Sequence, residues 1–187
     1  SQTYFMGHCI MQCFGFAAFF AYISGSSFVF QNIYHVSPQI FSIIFGINGI
    51  GLMLSGALTG RLAGHIADWK ILRTALYIAV VGSILLLAGF IVHIPLLAVI
   101  VILFFTVSTL SCMATSSFSL AMQSQGRNAG SASALIGFFS MISGAVMAPV
   151  VGIAGSYTAI PMGIVMVIGE VGALLTFYGM IYPAHKK

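Results

Sequence analysis

The stretch Thr74-Ala-Leu-Tyr-Ile-Ala-Val-Val-Gly-Ser-Ile-Leu-Leu-Leu-Ala-Gly-Phe-Ile-Val92 decides the fold. It carries no charged side chain, and a helix needs about 20 such residues to cross a bilayer core of about 30 Å. His93-Ile94-Pro95 interrupts it, and a second apolar block follows at once, Leu96–Leu120. Both blocks are continuously apolar rather than alternating, so they read as membrane helices and not as barrel strands.

Composition extends this reading to the whole chain. Of 187 residues, 60% are apolar and eight are charged: six Lys or Arg and two Asp or Glu. A soluble domain of this length carries about 45 charged residues. A soluble enzyme, a nucleic-acid binder and a disordered tail are thereby excluded, and the mean hydropathy of +1.12 agrees. The net charge of +4 is scattered between apolar blocks rather than gathered into a nucleic-acid patch. Cys9, Cys13 and Cys112 all sit in apolar runs, which suits packing and neither a disulfide framework nor a metal site. No cofactor is expected. The first residue is Ser1, and no basic stretch leads a short apolar segment to a cleavage site. We therefore expect no signal peptide, and a chain that is part of a longer one.

Six spans result: Tyr4–Val29, Gln39–Leu62, Thr74–Val92, Leu96–Leu120, Ala129–Ile153 and Ala159–Tyr182. The fold class is all-α, a polytopic bundle forming one domain over residues 1–187. Pro38, Pro95 and Pro161 fall near helix starts, where a missing N–H costs little, and Pro183 follows the last span. Pro149 alone lies within a span, where it frees a carbonyl and bends the helix. Arg61, Lys70 and Arg73 flank the second connection, Arg127 the fourth, and Lys186 and Lys187 form the tail. The odd-numbered connections hold no Lys or Arg. The positive-inside rule then predicts both termini in the cytoplasm.

The polar residues within the spans are the candidates for function. On the first span Gln12, Phe16, Phe19, Tyr22 and Ser26 form a stripe. It reads either as lipid-facing aromatics with interfacial tyrosines or as the lining of a cavity for apolar or cationic ligands. Asn48, among Gly49, Gly56 and Gly60, is either an interhelical hydrogen-bonder or a substrate contact. Ser108, Ser111, Thr115 and Ser119 recur at helical spacing, facing a wet cavity or bonding back to their own carbonyls. The fifth span is dense in small residues and continues as Gly144-x-x-x-Ala148-Pro149-x-x-Gly152, a bendable and closely packing helix. Glu170 lies mid-span, where its ionised form costs several kcal/mol. It reads as a proton or cation site, or as a neutral packing group. His8, His35, His65, His93 and His185 are all expected at helix ends or in loops. With one buried acid and no Ser–His pair, an intramembrane enzyme is not expected.

Tyr22-Ile-Ser-Gly-Ser-Ser-Phe-Val-Phe-Gln31, then Tyr34, Ser37, Pro38 and Phe45-Gly-Ile-Asn-Gly-Ile-Gly-Leu-Met53, resemble the second half of the bicyclomycin-resistance (Bcr/CflA) drug-efflux family of the major facilitator superfamily. Gly126-Arg-Asn-Ala-Gly-Ser-Ala-Ser-Ala-Leu-Ile-Gly137 is similar to that family's eleventh helix. The spans would be helices seven to twelve of a twelve-helix transporter. Gly144–Gly152 resembles the superfamily's antiporter motif, with Ala148 in place of a glycine. Gly56–Arg61 and Asp68–Arg73 resemble its cytoplasmic gating motif, with Gly60 where the motif carries an acid. The resemblance implies proton-driven export of drugs from the bacterial inner membrane through a cavity between two six-helix halves. Spans one, two, four and five would face the cavity, and three and six would be peripheral. The implied partners are lipid, a small apolar or cationic drug-like substrate, protons, and an N-terminal half or a homodimer partner. A solute importer of the same superfamily, or a truncated six-helix subunit without transport, are the alternatives.

Overall fold

The computed structural model describes residues 2–154 and 157–185. Lys186 and Lys187, part of the predicted basic tail, lie outside them. Six long helices follow one another: α1 (Gln2–Phe28), α2 (Pro38–Leu62), α3 (Asp68–Val92), α4 (Leu96–Gln123), α5 (Ala129–Ala154) and α6 (Ile160–Thr176). α1 continues as a π-helical segment, Val29–Ile33, and α6 as another, Phe177–Ile181, followed by a last turn, Tyr182–His185. Each of the six, with its continuation, is long and apolar enough to cross a membrane. The protein is an all-α, multi-pass membrane protein.

Local chemistry sets the helix ends. Ser37 caps α2 by accepting the Ile40 N–H at 3.3 Å, and Pro38 occupies the first turn. α3 ends where His93 turns left-handed at φ 56° and the Ile94 N–H bonds the Gly89 carbonyl. α3 begins six residues before the apolar block. Its first turns, Asp68-Trp69-Lys70-Ile71-Leu72-Arg73, mix charged and apolar side chains, with Leu72 wholly buried. Asp68 accepts a hydrogen bond from Ser119 on α4 at 2.8 Å. The Trp69 ring lies 5.7 Å from Lys70 Nζ and 5.1 Å from Arg73 Cζ.

Packing forms two rows. α1 packs on α4, α5 and α6, and α4 packs on α2 and α3, so the front row runs α2–α4–α1–α5. Behind it, α3 packs on α4 and α6. α1 and α6 run antiparallel through glycines. A Cβ at Gly169 would lie 2.7 Å from the Phe14 carbonyl oxygen, and one at Gly25 would meet Met162. The edge helices are the least covered. Only 17% of α2's most apolar window and 22% of α5's are buried, against 39% to 44% in the other four.

Candidate functional site

α1 carries the centre of the bundle. Its buried stripe presents Gln12, Gly15, Ala18, Tyr22 and Ser26 inward, spaced three or four residues apart as one helix face requires. Phe16 and Phe19 flank that stripe, half-buried, with their rings edge to face at 6.4 Å. Tyr22 is joined to α2 twice. Its ring stacks on Phe45 at 5.6 Å, and its hydroxyl accepts the Asn48 amide N–H at 3.0 Å. Tyr22 and Asn48 are both at most 2% exposed. The amide's other half, Asn48 Oδ1, has no hydrogen-bond partner among the described residues.

Glu170 reaches this same place from α6. Its side chain is 5% exposed and lines a small cavity of about 10 Å³ with Phe19, Tyr22, Thr106, Leu110 and Met166. That is room for about one water molecule. The resemblance implies a peripheral α6. In the structure α6 is in the back row, but Glu170 points forward between α1 and α4, into the aromatic stripe. The reason is Gly169 next to it, which lets the α6 backbone close on Phe14 and Ala18.

The hydroxyl stripe of α4 divides. Ser108 and Ser111 face α2, where Cβ atoms at Gly51 and Gly56 would strike their hydroxyls. Ser108 also bonds back to the Phe104 carbonyl at 2.6 Å, and its own carbonyl accepts from Ser55. Thr115 is exposed, and Ser119 is taken by Asp68. So Phe19 and Tyr22 share a cavity with Glu170, and Tyr22 also bonds Asn48, while Ser108 and Ser111 lie in the α2–α4 seam. Gln12 and Ser26 are buried on α1, each with an unpartnered polar atom.

Of the packing and gating candidates, Gly144 is buried against Phe20 of α1, and a Cβ there would lie 2.3 Å from that ring. Pro149 is exposed within α5, and Gly152 faces open space. Arg61 and Arg127 are exposed at the basic end. Asp68 is half-buried against α4.

His8 corrects the expectation that every histidine lies at a helix end or in a loop. α1 begins at Gln2 and α4 runs on to Gln123, so the two overlap around it. His8 is fully buried, and its Nδ1 lies 2.9 Å from Ser117 Oγ on α4. This corrects the expectation that the chain has no Ser–His pair. Only the long-range register of α1 against α4 reveals the contact, and no sequence spacing carries it. Ser117 is fully buried as well, so the pair offers no access to a substrate.

The sequence matches the Major Facilitator Superfamily over residues 1–149. The chain belongs to the Major Facilitator Superfamily. Within it, the chain is 41% identical over 176 residues to an uncharacterized MFS-type transporter, YdgK, of Bacillus subtilis (strain 168), covering 94% of this chain and 44% of that protein. It is 24% identical over 177 residues to a bicyclomycin resistance protein homolog of Haemophilus influenzae, covering 95% of this chain and 44% of that protein. No solved structure matches it. The chain thus spans less than half the length of these relatives. The resemblance read from Tyr22–Met53 and Gly126–Gly137 agrees with these matches, and the superfamily is one of transporters rather than enzymes.

Proposed function

We propose that the chain is the C-terminal half of a bacterial plasma-membrane transporter that exports drug-like apolar or cationic compounds in exchange for protons. The observation that carries this is a cluster centred on Tyr22: Phe19, Phe45 and Asn48 contact it, and Glu170 lines a small cavity with Tyr22 and Phe19. Stacked aromatic rings receive flat apolar or cationic molecules without demanding one shape. The free Asn48 Oδ1 adds one acceptor, and Glu170 one group that can gain or lose a proton. Few fixed polar contacts are present, which suits permissive export better than uptake of a sugar or an acid.

The edge helices support a second half. Seven glycines in the described helices and their continuations have open space where a Cβ would sit: Gly46, Gly49, Gly60, Gly130, Gly137, Gly152 and Gly179. Six of them are on α2 and α5. Small residues on an otherwise uncovered helix face permit close approach of another helix bundle. Exposed Ile43, Ile47, Met53 and Leu54 on α2, and Phe138, Met141, Val146 and Ile153 on α5, accompany them. In this reading α2 and α5 form the rocking contact with the N-terminal half, basic ends in the cytoplasm, and Gly144–Gly152 lies along it.

The test is a drug-susceptibility panel on cells expressing the full-length protein, its Tyr22→Ala and Asn48→Ala variants, and the 187-residue chain alone. The expected result is resistance from the full-length protein, loss of it in both variants at unchanged membrane abundance, and none from the chain alone. Full resistance in both variants would count against the site.

A further inference from the structure

Two apolar hollows lie end to end on the side of α3 and α4 away from α1. The lower one, about 250 Å³, is bordered by Leu62, Lys70, Thr74, Ile78 and Cys112. The upper one, about 380 Å³, is bordered by Tyr77, Ile78, Val81, Leu85, Val101 and Phe105. Ile78 belongs to both, so they form one furrow along the α3–α4 seam. From Lys70 to Leu85 is about 22 Å of helix. That is enough to cross the roughly 15 Å of hydrocarbon that one leaflet supplies.

The furrow's lower end is basic. Lys70 borders it, and Arg73 lies one turn above on the same helix. Both cations sit over the Trp69 ring, and no carboxylate pairs with either among the described residues. The acid of this turn, Asp68, is occupied by Ser119. Tyr77 lines the furrow, and its hydroxyl hydrogen-bonds that of Tyr178.

We propose that this furrow is a binding site for a phospholipid with an anionic headgroup, its acyl chain along α3 and α4 and its phosphate at Lys70 and Arg73. The argument is complementarity: an apolar slot of leaflet depth ends at Lys70, with Arg73 one turn away, and no carboxylate among the described residues pairs with either. Basic pockets between membrane helices on the cytoplasmic side recognise anionic lipids in this way. The site adjoins the end of α2 at Leu62 and is separate from the Tyr22 cluster, and it stands whether or not the cargo is a drug.

Trp69 is the chain's single tryptophan and reports on the site directly. Full-length protein with Trp69 as its sole tryptophan is reconstituted in phosphatidylcholine vesicles. It is then titrated with phosphatidylglycerol or phosphatidylcholine brominated near the head of the acyl chain. Each basic residue near an anionic surface contributes about a fivefold preference, so phosphatidylglycerol should quench Trp69 with about 25-fold higher apparent affinity. Lys70→Gln with Arg73→Gln should abolish the preference, and Lys70→Arg with Arg73→Lys, folded by the same route, should keep it. Val81→Phe should weaken quenching by both lipids. Equal quenching by the two lipids in the native protein overturns the proposal, as does a preference that survives the double Gln variant. Displacement by a lipophilic cation dye rather than by phosphatidylglycerol assigns the furrow to cargo and overturns it too.

Discussion

The Tyr22–Asn48 hydrogen bond permits a quantitative test of how α1 and α2 are joined. Tyr22→Phe removes the acceptor and leaves the Asn48 amide buried with neither its N–H nor its Oδ1 paired, since Oδ1 already has no partner. The expected loss of stability is about 1–2 kcal/mol, the cost of a buried polar group left unsatisfied. Asn48→Leu keeps the branched outline and removes the whole amide, including the unpartnered Oδ1, so it should cost less than Tyr22→Phe despite removing the same bond. The double variant closes the cycle. Interhelical hydrogen bonds in membrane proteins average about 0.6 kcal/mol of coupling and reach about 1.7. Because both residues are almost wholly buried, the coupling should fall in that interval. The assay is reversible unfolding of the full-length protein in mixed micelles by titrated denaturing detergent. Coupling under about 0.3 kcal/mol, the level at which independent sites add, would refute the join. So would a larger cost for Asn48→Leu than for Tyr22→Phe.

Three further outcomes are expected. Glu170→Gln should fold at least as stably as the native protein, because it removes a buried ionisable group, yet should decouple drug export from an imposed pH gradient in proteoliposomes; normal coupling would dismiss the carboxyl as the proton group. Gly169→Ala should destabilise by about 1–3 kcal/mol, since its Cβ meets backbone in α1, whereas Gly137→Leu, with open space around it, should leave stability within about 0.5 kcal/mol and lower transport; equal destabilisation by both would contradict the assignment of the open α5 face. Pro149→Ala should slow transport in vesicles while leaving ligand binding within about twofold, and wild-type transport would show that the exposed proline in α5 does not limit the motion.

The six helices were legible because a bilayer leaves the chain no alternative: a predominantly apolar run of 19 to 26 residues must pair its own backbone. The start of α3 was not, because Asp68–Arg73 mixes charged and apolar side chains and no hydropathy count assigns it to a span. Stacking of Trp69 with two cations and the Ser119 contact, both absent from an apolar profile, make it helix. The inward face of each helix was only half legible. Lipid is as apolar as leucine, so hydrophobicity does not separate Leu54, exposed on α2, from Leu103, buried on α4. Glycines misled in the same way: Gly51 and Gly56 are filled by Ser108 and Ser111, while Gly46 and Gly49 on the same helix face nothing. Tyr22, Asn48 and Glu170 were each visible as polar groups at membrane depth. Their meeting was not, because it depends on the register of α1 against α2 and α6.

The distribution of unmet polarity argues that α1 is the functional axis. Five buried side-chain atoms have no hydrogen-bond partner among the described residues: His8 Nε2, Gln12 Nε2 and Ser26 Oγ on α1, Asn48 Oδ1 on α2, and Ser116 Oγ on α4. None is on α3 or α6, although those helices are nearly as well buried, 39% against 44% for α1 and α4. Ser83 and Thr176, the buried hydroxyls of the back row, bond to their own carbonyls. Each unsatisfied group costs about 1–3 kcal/mol, so a helix selected only for packing would exchange it for an apolar residue of similar size. Three such groups on one helix, reaching from His8 to Ser26 over about 27 Å, trace a line nearly the depth of the hydrocarbon. Glu170 enters that line near its middle from the neighbouring helix, beside Tyr22. In the proposed transporter, this unmet polarity along α1, with Glu170 of α6 beside it, is what a partner arriving and leaving along that helix would meet.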